Sequence, residues 1–252
     1  MDKETLIRNF SRCAHSYDHY ADVQKVAALR LLEEIKDKSF EKILEIGCGT
    51  GNYTYLLKER FKDAELKVID ISEKMIEVAS KKLNCGGIEF VVADAEKIQL
   101  NEDFDLITSN ACFQWFEYLE DTLMKYNDAL KKNGIILFSL FGPLTFWELG
   151  ESFKSLLKDV KLESTDFLTK EMIEEILRKN FKDVRIKEVR YKEIFHDLCE
   201  LLRKIKYTGA RGEGFHKTYL GLRFVQKLER LYVDRFNKIE ATYQVFFCLG
   251  QK

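Results

Sequence analysis

A glycine-rich turn between an apolar segment and a helix-forming segment constrains the fold of this chain more than any other feature. After Lys42, the segment Lys42–Ile46 is apolar except for Glu45 and contains two β-branched isoleucines, which is typical of a short buried strand. Three glycines follow at alternate positions, and residues 53–61 have the pattern of a helix. Strand, glycine turn and helix in this order form the nucleotide-binding start of an α/β sheet, because glycine lets a ligand approach the main chain closely.

The spacing of these glycines distinguishes between classes of nucleotide. A dinucleotide fingerprint needs a glycine where this chain has Asn52, and the P-loop pattern is absent. The remaining pattern, Glu-x-Gly-x-Gly-x-Gly, resembles the first motif of the class I S-adenosylmethionine (SAM)-dependent methyltransferases. An ordinary strand-helix turn of another Rossmann-like fold is the alternative. The resemblance implies SAM as the cofactor and four cofactor-binding residues: Glu45, Gly47, Gly49 and Gly51.

Composition and charge exclude several classes of protein. The chain has 252 residues, of which 46% are hydrophobic and 33% charged, and this balance predicts a single globular domain. A net charge of -1 argues against electrostatic binding of nucleic acid. No apolar run reaches membrane-spanning length and no secretory signal is recognisable, so we expect a cytoplasmic protein. We also expect a monomer. The six cysteines are scattered, which indicates neither a metal site nor a disulfide framework.

Alternating strand and helix patterns continue along the chain. Residues 184–194 carry alternating charges, as in an edge strand, and residues 243–249 are almost all apolar, as in a buried strand. The prediction is an α/β fold with a seven-stranded, mostly parallel sheet and helices on both faces. The other predicted strands are 66–71, 88–93, 103–110 and 134–141, with helices at 73–83 and at 117–132, the latter ending at Asn133-Gly134.

Two carboxylates at predicted strand ends are candidate ligands of an adenosyl group. Asp70 ends the second strand and can accept hydrogen bonds from both ribose hydroxyls; as an N-cap of the next helix, Ser72 is better placed. Asp94 follows the third strand and can accept a hydrogen bond from the adenine amino group, while backbone groups near Ala95 can contact the ring edge. The predicted cofactor-binding set also contains Ile71, Met75 and Asn110.

The N-terminal region, residues 1–37, has a helical pattern and an unusual concentration of aromatic and polar residues. It is either a solvated helical pair that packs on the sheet or a lid over the cofactor. A lid requires an aromatic ring to exclude water and several hydrogen-bonding groups. Phe10, Tyr17, Asp18 and Gln24 would supply them, and Tyr17 and Gln24 are predicted to bind the cofactor.

Further motifs resemble the malonyl-[acyl-carrier protein] O-methyltransferases of biotin biosynthesis over nearly the whole chain. They comprise residues 10–18, Phe113-Gln114-Trp115, residues 141–149 and residues 202–210, with a departure at Leu144, where a polar residue is expected. The resemblance implies an enzyme that methylates the free carboxylate of malonyl-[acyl-carrier protein] or malonyl-CoA. A second candidate is a methyltransferase of small free acids, similar to the trans-aconitate enzymes. A third is an assembly protein that binds SAM without catalysis.

The implied chemistry favours an enclosed aromatic chamber. A malonyl carboxylate is ionised at neutral pH and needs no general base. Methyl transfer from a sulfonium cation to a carboxylate neutralises charge, so exclusion of water and positioning should dominate. The predicted catalytic residues are Tyr17, Gln114 and Trp115, with Phe113 and Phe141 nearby and Arg211 as a candidate to hold the carboxylate.

A predicted helical insertion at residues 196–237 has four more basic than acidic residues. Such a surface can attract an acidic partner, although a charged run is also typical of a solvated face. We expect the acyl carrier protein to contact this surface through Lys204, Lys206 and Arg211. The predicted organisation is a lid at 1–37, a SAM-binding core at 40–195 and 240–252, and the insertion between these core segments.

Overall fold

A seven-stranded sheet forms the centre of the molecule in a computed structural model that describes residues 2–83, 86–101, 103–157, 162–210 and 221–252. The strand order is β3-β2-β1-β4-β5-β7-β6. The first five strands in this order are parallel, and β7 is antiparallel to both of its neighbours, which confirms the predicted fold class. The strands are β1 Lys42–Ile46, β2 Glu65–Asp70, β3 Ile88–Val92, β4 Phe104–Asn110, β5 Leu130–Phe141, β6 Lys182–Phe195 and β7 Ile239–Gln251.

Helices cover both faces of this sheet. Buried side chains of α2, α3, α8 and α9 form one cluster with one face, and those of α5 and α7 form a second cluster with the other. The helices are α1 Lys3–Cys13, α2 Asp22–Glu34, α3 Asn52–Arg60, α4 Glu73–Lys82, α5 Leu119–Asp128, α6 Trp147–Lys154, α7 Lys170–Asn180, α8 Leu198–Tyr207 and α9 Leu222–Phe236. Short 3-10 helices lie at Tyr17–His19, Phe113–Trp115 and Glu163–Asp166.

The predicted helix at 117–132 was too long. Helix α5 ends at Asp128, and β5 already begins at Leu130. Leu130 pairs with Phe104 and Ile135 pairs with Leu106, so the intervening residues of β5 form a bulge. Asn133 adopts a positive φ of 65° within this bulge. The Asn-Gly pair therefore marks an irregularity of the strand, not a helix end.

The last two strands are longer than predicted, because they pair with each other along almost their whole length, from Lys182 opposite Gln251 to Phe195 opposite Ile239. The predicted insertion corresponds to α8 and α9, which connect them.

Arg211, the candidate for holding the carboxylate, lies outside the described residues. The division into lid, core and insertion stays a prediction. No helix among the described residues combines the length and apolarity needed to cross a bilayer.

Candidate active site

The glycine turn lies at the carboxyl end of β1 and is fixed to the neighbouring strand. The backbone N–H groups of Gly47 and Cys48 both donate to the carbonyl of Ile69 in β2, at 2.7 and 3.1 Å. Gly47 has a φ of 70°, and a Cβ there would collide with the side chain of Cys112. At Gly49 a Cβ would meet no heavy atom within 4 Å. The turn thus leaves an open space beside the main chain of Gly49.

A cavity of about 710 Å³, here called the turn cavity, opens at this point. Side chains from the ends of four strands and from α1 and α4 enclose it. Nine of the predicted cofactor-binding residues line it: Tyr17, Gly47, Gly49, Asp70, Ile71, Met75, Asp94, Ala95 and Asn110. The other lining residues are Lys3, Leu6, Phe10, Ile46, Ile69, Ala93, Glu96, Ala111, Cys112, Trp115 and Phe116.

The carboxylate of Asp70 is held rigidly in the wall of the turn cavity. Its Oδ2 accepts a hydrogen bond from the N–H of Gly49 at 2.9 Å, and its Oδ1 accepts one from the N–H of Ser72 at 2.8 Å. Burial raises the pKa of Asp70 to about 6, against these two hydrogen bonds, which lower it. Each oxygen keeps a lone pair for a further donor, such as a hydroxyl group.

Asp94, which also lines the turn cavity, is paired with a cation that sequence patterns did not indicate. Lys3 Nζ lies 2.6 Å from its Oδ2 and 2.7 Å from Oε2 of Glu96. Burial alone would raise the pKa of Asp94, but the hydrogen bonds from Lys3 and from the N–H of Glu96 hold it below its ordinary value. Asp94 is therefore ionised at neutral pH.

Three predicted cofactor-binding residues lie away from the turn cavity. Glu45 is 1% exposed in the core, where burial raises the pKa of its carboxyl to about 8. Gly51 is needed for packing, since a Cβ there would lie 2.8 Å from the side chain of Leu83. Gln24 lines a second cavity instead.

The second cavity, here called the aromatic chamber, has a volume of about 720 Å³. It shares Phe10, Tyr17, Ala111 and Trp115 with the turn cavity, so the two spaces adjoin at these residues. The predicted catalytic residues Tyr17, Gln114 and Trp115 all line it. Its other lining residues are Gln24, Phe141, Thr145, Phe146, Leu162, Glu163, Ser164, Phe167, Ile205, Thr208, Ala210 and Tyr243.

Aromatic rings build the walls of this chamber. The ring of Trp115 meets that of Phe167 edge to face at 5.3 Å between centroids, and Tyr243 meets Phe146 in the same way at 4.8 Å. Phe113, which we expected near the chamber, is instead buried in the other core cluster, beside Phe138 at 4.8 Å. The sequence motifs gave no sign of Tyr243, because it lies within an apolar strand.

Two buried oxygen atoms of the chamber residues have no hydrogen-bond partner in the described part of the chain. They are Oε1 of Gln24 and Oε1 of Gln114. Unpaired buried polar atoms are costly, and they are uncommon unless a ligand or water completes them. The described lining residues include no lysine or arginine, and Glu163 is their one carboxylate. Neutral polar groups therefore dominate the polar part of the chamber.

The N-terminal segment covers the turn cavity and is attached to the glycine turn. Asp18 accepts hydrogen bonds from Thr50 Oγ1 at 2.5 Å and from Asn52 Nδ2 at 2.8 Å, and it pairs with Lys82 at 2.8 Å. Although burial opposes it, these partners lower the pKa of Asp18. On α1, Ser11 Oγ lies 2.9 Å from Ser72 Oγ. This placement favours the lid over the solvated helical pair.

Lys204 does not belong to an exposed basic surface, contrary to prediction. It is 7% exposed and pairs with Asp22 at 2.9 Å and Glu193 at 2.6 Å. Lys206 is exposed, as predicted. Helical period explains the difference, since residues two apart on α8 face different directions.

Among the described residues, no group of three histidine, cysteine or carboxylate side chains is placed to hold a metal ion.

Comparisons with known proteins agree with this architecture. A family model described as a methyltransferase domain matches residues 44–138. Among curated relatives, the malonyl-[acyl-carrier protein] O-methyltransferase of Acetivibrio thermocellus is 35% identical over 100% of this chain and 95% of that protein. The Bacillus cereus protein of the same name is 33% identical over 98% of this chain and 96% of the relative.

Solved structures of methyltransferases share the fold at low sequence identity. The phosphoethanolamine N-methyltransferase 2 of Haemonchus contortus, solved with S-adenosyl-L-methionine, has a TM-score of 0.58 and 21% identity, and the match covers 88% of this chain and 51% of that one. The N-methyltransferase NodS of Bradyrhizobium japonicum, solved with S-adenosyl-l-homocysteine, has a TM-score of 0.56 and 14% identity over 98% of both chains.

Proposed function

The chain belongs to the family of the malonyl-[acyl-carrier protein] O-methyltransferases, and on that premise we propose that it methylates the free carboxylate of a malonyl thioester to the methyl ester. One observation carries the proposal: a cavity suited to an adenosyl cofactor and an aromatic chamber adjoin at Tyr17 and Trp115. A methyl donor in the first space and an acid in the second would meet at this shared wall.

The residues of the turn cavity fit S-adenosylmethionine. The open space beside Gly49 allows close approach to the main chain, and the carboxylates of Asp70 and Asp94 offer acceptors for hydroxyl and amino groups. Ile71 and Met75 supply apolar surface for a planar ring. When bound, SAM supplies an electrophilic methyl group.

The aromatic chamber suits a carboxylate acceptor. The malonyl carboxylate is already ionised at neutral pH, so the chain need not supply a base. Burial raises the pKa of Tyr17, which keeps its hydroxyl protonated as a donor. The amide of Gln24 offers a further neutral donor, as does the second N–H of the Gln114 amide, whose first donates to the carbonyl of Ala111 at 2.8 Å. The rings of Phe10 and Trp115 exclude water. The contribution of the chain is thus positioning and desolvation.

An acidic acyl carrier protein is the proposed partner, with malonyl-CoA as the simpler thioester. Arg223, Lys227 and Arg230 recur at helical spacing on the exposed face of α9. Helix α9 packs against α8, and the residues that end α8 line the chamber. A carrier protein docked on α9 would therefore be near the chamber. We place the resulting ester in biotin synthesis, where it would serve as a pimeloyl precursor.

The test is to incubate the protein with methyl-labelled SAM and three acceptors: malonyl-[acyl-carrier protein], malonyl-CoA and free malonate. We expect label in a base-labile methyl ester on a thioester, identified by mass spectrometry. Methylation of free acids alone would instead support the small-acid enzyme. Binding of S-adenosylhomocysteine without transfer to any acceptor would support the assembly protein.

A further inference from the structure

Lys3, in the first turn of α1, connects the N-terminal helix to two carboxylates in the wall of the turn cavity. Its ammonium group lies 2.6 Å from Asp94 and 2.7 Å from Glu96. All three residues line the cavity. The side chain of Glu96 is 3% exposed and also accepts a hydrogen bond from the N–H of Tyr118 at 2.6 Å. The Lys3–Glu96 ion pair is thus partly removed from water, unlike an ordinary surface ion pair.

Between Lys3 and the Ser11–Ser72 contact, α1 crosses the turn cavity. Leu6 and Phe10, on the intervening turns, line the cavity. The buried cluster that joins α1 to α4 is small and consists of Cys13, Ala14 and Met75, with four partly buried neighbours. Elements with few buried contacts open at low free energy. The ion pairs of Lys3 are therefore a large part of the contacts that keep the N-terminal end of α1 on the turn cavity.

We propose that Lys3 holds α1 closed over the turn cavity and so determines how long the cofactor stays bound. Lys3 also orients the acceptor at Asp94: Lys3 contacts Oδ2, while the N–H of Glu96 donates to Oδ1 at 3.0 Å. The carboxylate is fixed at both oxygens, and each keeps a lone pair. The inference rests on the cofactor part of the proposed function and does not depend on the acyl substrate.

The test measures the association and dissociation rates of S-adenosylhomocysteine by stopped-flow fluorescence. In Lys3→Met, which keeps an apolar stem, we expect dissociation about tenfold faster and association little changed. Lys3→Arg should retain slow dissociation, because it keeps the cation. Raising the ionic strength should speed dissociation from the unchanged protein more than from Lys3→Met.

Lys97→Met is the matched control. Lys97 lies 3.9 Å from the same oxygen of Asp94, but its side chain is 80% exposed and it does not line the cavity. Its dissociation rate should equal that of the unchanged protein. Equal rates for Lys3→Met and Lys97→Met would overturn the inference, as would a Lys3→Met variant that loses only association rate. If the unchanged protein does not bind S-adenosylhomocysteine, the proposed function fails and the inference with it.

Discussion

The rings of Phe10 and Trp115 meet edge to face, with centroids 6.2 Å apart, where the turn cavity adjoins the aromatic chamber. Phe10 belongs to α1, and Trp115 belongs to the 3-10 helix after β4. Gly209 also packs against Phe10, since a Cβ there would lie only 2.6 Å from the ring. Phe10 thus joins the N-terminal segment to the sheet edge and to the end of α8, at the wall that both cavities share.

Tyr17→Phe should reduce methyl transfer more than it reduces stability. Tyr17 lines both cavities, and its hydroxyl is a neutral donor at their junction. We expect turnover to fall about tenfold while the melting temperature changes by less than about 3 °C, since the ring is retained. The control is Tyr20→Phe, because Tyr20 stacks on Tyr207 at 4.9 Å and lines neither cavity. Equal turnover of both variants at saturating cofactor would contradict the role of Tyr17.

Asp70→Asn should weaken binding of S-adenosylhomocysteine about tenfold, because one carboxylate acceptor is replaced by a donor. Affinity of the unchanged protein should also fall as the pH drops below about 6, where Asp70 becomes protonated. The variant should lack this pH dependence. Calorimetric titrations between pH 5 and pH 8 test both statements, and an unchanged affinity of the variant at pH 8 would refute the assignment of Asp70.

Glu45→Gln should make the protein more stable than the unchanged chain at neutral and alkaline pH. Burial raises the pKa of Glu45 from 4.5 to about 8. Because the folded chain favours the protonated carboxyl of Glu45, this group contributes its full stability below pH 4.5. The contribution is lost as the pH rises towards 8. The glutamine amide does not ionise, so the variant should gain about 3 kcal/mol relative to the unchanged protein by pH 7. Urea unfolding at pH 5, 7 and 8.5 measures the free energy of unfolding of both proteins. If their difference does not depend on pH, Glu45 stays ionised in the folded chain.

The parts of the candidate site that follow from parallel strands are predictable from the sequence. Asp70 and Asp94 end neighbouring strands, and the carboxyl ends of parallel strands meet at one edge of a sheet. The glycine motif assigned Glu45 and Gly51 to the cofactor because motif spacing does not specify which side chains face the core. Glu45, in the core, lies one residue before Ile46, which lines the cavity, and alternate residues of a strand face opposite sides.

Residues that reach the site from distant parts of the chain left no local pattern. Lys3 meets Asp94 across 91 positions of sequence, and Tyr243 belongs to an antiparallel strand added beyond β5. Lys204 looked like part of a basic surface because charge alone does not reveal burial. Tertiary contacts determine where Lys3, Tyr243 and Lys204 lie, so their positions are known only from the folded chain.

Charge reversal on α9 should weaken docking of an acidic carrier protein. In the double variant Lys227→Glu/Arg230→Glu we expect KM for malonyl-[acyl-carrier protein] to rise about tenfold, with malonyl-CoA turnover unchanged. The matched control is Lys38→Glu/Lys132→Glu, since these two exposed lysines lie together near the beginnings of β1 and β5 and line neither cavity of the site. A similar rise in both variants would indicate a general charge effect, and no rise in either would place docking elsewhere.

Tyr243→Phe should raise KM for the acyl substrate without changing affinity for S-adenosylhomocysteine. Tyr243 is 3% exposed and lines only the aromatic chamber. Burial, the nearby charge of Glu193 and a hydrogen bond with its carboxylate raise the pKa of Tyr243, so the phenol stays protonated and remains a donor beside the chamber. An increase in KM of about tenfold is expected, equivalent to one hydrogen bond to a charged or polarised oxygen.

Tyr232→Phe separates this role from simple loss of a buried hydroxyl. Tyr232 is also buried, but its hydroxyl donates to the carbonyl of Glu240, away from both cavities. The Tyr232→Phe variant should have a lower melting temperature and an unchanged KM for the acyl substrate. If Tyr243→Phe likewise changes only the melting temperature, the hydroxyl of Tyr243 stabilises the partly buried Glu193–Lys204 ion pair and does not bind the substrate. A purely structural contact alters folding without altering substrate or transition-state binding.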